Sequence, residues 1–269
     1  MSAKADVKNY LFVNEGEQTN YISPYYNQAR DVHPPLFYFL VHFVCSLFVG
    51  TFSKYTIFAI NLVFLVLTIL MIRKILILFN REKLVVPATL FYGLSMGAVS
   101  MTMFLRMYAL LTFFVILYFY VNLKITKNDS KLSGGTAALL IISTVLGFLT
   151  QYYFCIFALF VFLIMLIRMI KLKNIKQAIK YSVCHVVSAV IGIGLFPSSI
   201  GHIFSSSRGI GSTSGLSLFT QLEVMVGRIT YAFSLHRVLG VLVFLIIIAY
   251  IFVRCVEKTD APDVKAAKL

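Results

Sequence analysis

Two titratable side chains stand beside a rigid diproline in Arg30-Asp31-Val32-His33-Pro34-Pro35-Leu36-Phe37-Tyr38. Each proline fixes its own φ and restricts the residue before it, so His33 is held extended while Pro35 can open a helix. The backbone is stiff just where groups able to exchange protons sit. A second candidate is Arg106, between Met103-Phe104-Leu105 and Met107-Tyr108-Ala109-Leu110-Leu111. A cation in so short a turn between apolar runs costs a few kcal/mol unless paired, which calls for an anion: a carboxylate such as Asp31, or a lipid phosphate. Anion binding is therefore the chemistry expected at Arg106. A third is Ser205-Ser206-Ser207-Arg208-Gly209-Ile210-Gly211-Ser212, a polar loop whose amides and Arg208 could hold a phosphate, although it lacks the strand and helix of a P-loop.

Each residue also has a plainer reading. Asp31 could cap the helix that begins at Pro34 or Pro35. His33 and His42 could be interfacial histidines with satisfied hydrogen bonds, Arg106 could snorkel to the surface, and Tyr152 and Tyr153 could belong to an aromatic belt.

The elements that carry these residues follow from composition. With 59% hydrophobic residues, 13% charged and a mean hydropathy of +0.89 over 269 residues, the chain is an all-α integral membrane protein, a polytopic helical bundle. A net charge of +14 would suggest nucleic acid in a soluble protein. Here the basic residues cluster between apolar runs, which is the positive-inside pattern and speaks against a nucleic-acid partner. Cys45, Cys155, Cys184 and Cys255 stand singly, with no CxxC pair to suggest a zinc site or a disulfide framework.

Residues 1–34 are polar and aromatic and read as a loop. Residues 35–50 are apolar but short of the roughly 20 that a span requires, and Tyr38, His42 and Ser46 draw one weakly polar stripe along a helix. This predicts a helix lying in the membrane interface, with a short, tilted span as the alternative reading. Seven spans are expected near 55–79, 84–101, 107–125, 134–151, 154–171, 180–198 and 238–254, making 35–255 the membrane domain. An outer loop and helix fill 199–236, and 256–269 is a polar tail.

If the N-terminal segment is extracytoplasmic, the inner segments hold 16 of the 24 Lys and Arg. This bias predicts an outer N-terminus and a cytoplasmic C-terminus. Asp31, His33, Arg106, Gln151-Tyr152-Tyr153, His202 and Arg208 then fall on one face. A site sunk into the extracytoplasmic surface is the natural expectation.

Asp31-Val32-His33-Pro34-Pro35-Leu36-Phe37-Tyr38, then Leu105-Arg106-Met107-Tyr108-Ala109-Leu110, then Gln151-Tyr152-Tyr153-Phe154, in that order and spacing, resembles the membrane glycosyltransferases of the GT-C fold. The nearest look-alikes are bacterial members related to glycosyltransferase family 39, the protein O-mannosyltransferases and the aminoarabinose transferase of lipid A. The resemblance implies a bacterial plasma-membrane enzyme that takes a sugar from a polyprenyl-phosphate donor and passes it, with inversion, to an extracytoplasmic acceptor. It implies that Asp31 and His33 line the catalytic site near the donor phosphate or a divalent metal ion. Arg106, with Arg208 and Arg30, would neutralise phosphate, and Tyr108, Tyr152 and Tyr153 would contact the prenyl chain or sugar. Family members carry an acidic pair after a first span, and no such span precedes Asp31 here. The comparison therefore suggests a chain shortened at its N-terminus, and at its C-terminus too. A carrier or transporter for the same lipid-linked sugar, or an accessory membrane protein, is the alternative function.

Overall fold

A computed structural model describes residues 13–51, 53–128 and 131–204, together with Glu223 and Gly227. Arg208, the expected span at 238–254, the tail at 256–269 and almost all of the loop beyond 204 lie outside the described residues. Two compact units divide the chain, Met1–Leu94 with Ala98–Gly215 and Ser95–Gly97 with Leu216–Leu269. All helices below belong to the first, apart from the opening residues of α5.

Among the described residues the chain is helical throughout: α1 Ile22–Arg30, α2 Leu36–Ser46, α3 Lys54–Leu78, a 3-10 turn Glu82–Leu84, α4 Val85–Gly93, α5 Met96–Met103, α6 Tyr108–Lys127, α7 Gly134–Thr150, α8 Tyr153–Lys171, α9 Ile175–Leu195 and α10 Ser199–Phe204. Four of these, α3, α6, α8 and α9, are long and apolar enough to cross a membrane. This is a helical membrane protein.

Local chemistry fixes several helix ends. Ser53 opens α3 and Ser133 opens α7, each side chain accepting from a first-turn amide, Tyr55 N at 3.2 Å and Thr136 N at 3.3 Å. At the far end of α3, Asn80 turns to φ +56°, with Arg81 N donating to Leu76 O and Asn80 N to Ile77 O. At the end of α8, Lys173 does the same at φ +54°, with Asn174 N donating to Met169 O and Lys173 N to Ile170 O. Both are Schellman closures, here built without glycine.

Where one span was expected over 84–101, two helices stand, α4 and α5, bent by 53° at Leu94-Ser95. Gly93, Ser95 and Gly97 crowd the break and weaken helix continuation there. Counting this bent pair as one crossing gives up to five candidate spans among the described residues, and the expected span at 238–254 lies outside them. At 17 residues α7 is about 26 Å long, just short of the hydrocarbon thickness. At 11 residues α2 is about 16 Å long and too short to cross, as its sequence predicts. The expected N-terminal loop contains a helix, α1. Pro24 is tolerated there because it falls in the first turn.

The bundle is built on α6, which packs against α3, α7 and α8. Leu110, Phe114, Tyr118, Val121, Asn122 and Ile125 recur at helical spacing and are buried along it. They share one core with Phe37, Ile60, Leu140, Phe154 and Tyr181. On the outer surface Phe160, Ile164, Val186 and Val190 are all more than 60% exposed, which suits contact with lipid and not with water.

Polar side chains inside the bundle find partners across helices. Tyr181 donates to Asn122 Oδ1 at 2.7 Å, and Asn122 Nδ2 donates to Tyr118 O at 2.8 Å. His185 Nδ1 lies 2.9 Å from Tyr181 O. A carbonyl only accepts, so Nδ1 carries the proton, and Nε2 lies 2.8 Å from the Tyr118 hydroxyl, which also reaches Ala158 O at 3.2 Å.

One glycine permits this packing. A methyl group on Gly147 would come within 2.5 Å of the Phe154 ring, which is 1% exposed and has no room to retreat. Gly194, on α9, has open space around its Cα. Gly147→Ala is expected to lower the stability of the detergent-solubilised chain by about 1–3 kcal/mol. Gly194→Ala should change it by less than about 1 kcal/mol. Thermal unfolding of both variants checks the contrast.

Candidate functional site

Asp31 ends α1 through its backbone, its N–H donating to Asn27 O at 3.2 Å and Gln28 O at 3.1 Å. Its carboxylate caps nothing: α2 starts after Pro35, with no side-chain cap. The capping reading of Asp31 is thereby set aside, and the helix begins one residue later than the diproline suggests. His33 Nδ1 lies 3.3 Å from Asp31 Oδ2, with side-chain exposures of 13% and 45%. The approach is that of a charge pair without hydrogen-bond alignment, and Nδ1 has no other partner. Pro34 and Pro35 are buried and fix this pair against the bundle.

One turn into α2, the Tyr38 side chain reports what surrounds it. Burial raises its phenol above the ordinary value, the Asp31 carboxylate raises it further, the Arg106 guanidinium pulls it down and Tyr108 pushes it up. The fold thus brings Asp31, Arg106 and Tyr108 within electrostatic reach of Tyr38, with His33 beside Asp31.

Arg106 is exposed, its guanidinium 5.6 Å from the centre of the Phe104 ring, which stacks on Tyr108 at 5.7 Å. It forms no ion pair with Asp31 or with any other described carboxylate. The cation therefore remains available to an anion from outside the chain.

Asn61 holds this corner in place. Fully buried in α3, it donates through Nδ2 to Thr102 O at 3.3 Å and Phe104 O at 3.0 Å, where α5 ends. Sequence reading passed over it, although an amide in an apolar run is itself a signal.

Tyr152 belongs to a neighbouring cluster. Its hydroxyl lies 2.9 Å from His202 Nδ1, and His202 Nε2 lies 3.1 Å from Ala29 O in α1. The carbonyl fixes the proton on Nε2, so Tyr152 donates to Nδ1. Phe196 stacks edge-on against both Tyr25 and His202, completing a clasp between α1, α10 and the α7–α8 corner. Burial holds the Tyr152 phenol well above its usual range. Tyr153, at 66% exposure, joins neither cluster, and Arg30 is exposed at the end of α1. Arg208 lies outside the described residues.

For a divalent cation the chain offers Asp31 and His33. No group of three His, Cys, Asp or Glu side chains gathers among the described residues. A hard cation that keeps water and substrate phosphate oxygens needs only one or two protein ligands, so the pair fits as a partial set.

Comparison with protein-family models, with curated proteins and with solved structures finds no match.

Two variants test the positioning. Asn61→Leu leaves the carbonyls at Thr102 and Phe104 without its amide, which should destabilise the chain by about 1–3 kcal/mol and speed hydrogen exchange at Phe104–Tyr108. Tyr152→Phe removes the bond to His202, at about 1 kcal/mol. Because the folded phenol is raised, its stabilising contribution is complete below pH about 10 and fades as the pH rises through the folded value. The wild-type chain should therefore lose stability above pH 10 more steeply than Tyr152→Phe, as read by unfolding across alkaline pH.

Proposed function

We propose that this chain is a membrane glycosyltransferase of GT-C type, or the catalytic-face portion of one. It moves a sugar from a polyprenyl-phosphate donor to an extracytoplasmic acceptor at a bacterial plasma membrane. The observation that supports this reading is the gathering of Asp31, His33, Tyr38, Arg106 and Tyr108 at one end of the bundle, with Arg106 exposed and without a carboxylate partner among the described residues.

An acceptor hydroxyl or amine attacks the anomeric carbon of the donor sugar. The new bond forms as the bond from that carbon to the phosphate oxygen breaks, and the configuration inverts. The phosphate leaves with the bonding electrons and gains negative charge, which Arg106 stabilises. The acceptor proton passes to the Asp31–His33 pair, with Asp31 orienting the imidazole. Tyr38 stays protonated and donates to a donor oxygen. Asp31 and His33 would be the residues to hold a divalent cation, which would supply neutralising charge for the donor phosphate in place of their role toward the acceptor proton. Tyr108 and Tyr152 line the path of the sugar and the prenyl chain, and the apolar faces of the spans keep that chain in lipid.

Membranes containing the chain should transfer radiolabelled sugar from a short-chain polyprenyl-phosphate donor. Arg106→Ala should raise the donor KM by about tenfold or more. Asp31→Asn should lower kcat by about two orders of magnitude with little change in KM. Donor binding without transfer or hydrolysis would make the chain a carrier. No binding would remove both readings, and Arg106→Ala with unchanged binding would remove the role given to that side chain.

A further inference from the structure

The two ends of the bundle differ in charge. Around the C-terminal ends of α3, α6 and α8 and the starts of α7 and α9 stand twelve Lys and Arg, against one described acid, Glu82. At the Asp31 end the described cations are Arg30, Lys54 and Arg106. Leu132 N donates to Gln177 Oε1 at 3.0 Å, tying the α6–α7 loop to α9, and Lys127 Nζ donates to Leu78 O at the end of α3.

Between these elements lies a cavity of about 370 Å³, lined by Lys124, Lys127, Lys131, Asn128, Ser133 and Thr136. Lys127 is engaged with the end of α3, while Lys124 and Lys131 are exposed and make no ion pair among the described residues. Three cations facing one cavity repel one another unless an anion enters. Asp129, in the same loop, lies outside the described residues and leaves the segment 124–131 with a formal excess of two positive charges.

Beside the cavity the surface is greasy: Ile77, Phe79 and Leu84 are 36%, 45% and 51% exposed. A small soluble anion makes no use of such a rim. An amphiphile uses both parts, its phosphate among the lysines and its acyl chains along α3. We infer that this cavity is a headgroup site for an anionic phospholipid, at the opposite end of the bundle from Arg106 and independent of any transfer reaction.

The test uses the purified full chain in detergent, titrated with phosphatidylglycerol, with phosphatidylcholine and with inorganic phosphate, and read by thermal stability and native mass spectrometry. Phosphatidylglycerol should raise Tm and be retained on the protein, whereas phosphatidylcholine and phosphate should do neither. Lys124→Gln with Lys131→Gln should weaken phosphatidylglycerol binding about 30-fold, equivalent to roughly 1 kcal/mol for each lysine. Lys127 is left in place because it holds the end of α3. Lys171→Gln with Lys176→Gln, which removes equal charge from the same end outside the cavity, should change binding less than threefold. Equal loss in both pairs would reduce the effect to diffuse charge and overturn the site, as would equal protection by inorganic phosphate.

Discussion

A polar group at membrane depth has no water to fall back on, so it is costly unless another part of the chain meets it. That constraint accounts for where the helices touch. Asn61 reaches from α3 to the carbonyls at the end of α5, and Asn122 ties α6 to Tyr181 of α9. His185 answers Tyr118 with one nitrogen and its own helix with the other. Apolar packing holds the helices together without specifying their register, because lipid tails are as apolar as leucine. These few directional bonds select one register, and α6, carrying Tyr118 and Asn122 on its buried face, is the helix through which most of them pass.

The same constraint shapes the end where Asp31 and Arg106 lie. The α4–α5 bend leaves carbonyls at the end of α5, and Asn61 meets them, so the chain can turn sharply at Phe104 and present Arg106 outward. Across from it, the diproline sets His33 and Asp31 before α2 starts. Two separate devices, a buried amide and a stiff backbone, thus bring one cation and one carboxylate to the same side chain, Tyr38, without letting them pair with each other. An ion pair between them would be stable and chemically idle. Their separation leaves the guanidinium free for a phosphate.

What could be read from sequence was what repeats or stiffens. Length and apolarity marked α3, α6, α8 and α9, and shortness marked α2, because span length is set by the bilayer and not by context. Asp31, His33 and Arg106 were legible for the same reason: charge and proline are rare in such a chain. The break between α4 and α5 was not, since hydropathy averages over Gly93 and Ser95 and sees one apolar run. Nor was α1, whose Asn, Ser and Tyr residues have weak helix preference; it is held by tertiary contacts of Tyr25 with Phe196 and of Ala29 O with His202. Asn61 escaped notice because its importance lies in two carbonyls more than forty residues away.

The histidines divide into two kinds by what their second nitrogen meets. In His185 and His202 a backbone carbonyl takes one nitrogen and a tyrosine hydroxyl the other, so both rings serve as links between elements. His33 has no hydrogen-bond partner on Nδ1, and the Asp31 carboxylate stands 3.3 Å away. The ring next to the diproline thus has a nitrogen that is not committed to holding the fold, and it sits beside a carboxylate within electrostatic reach of Tyr38.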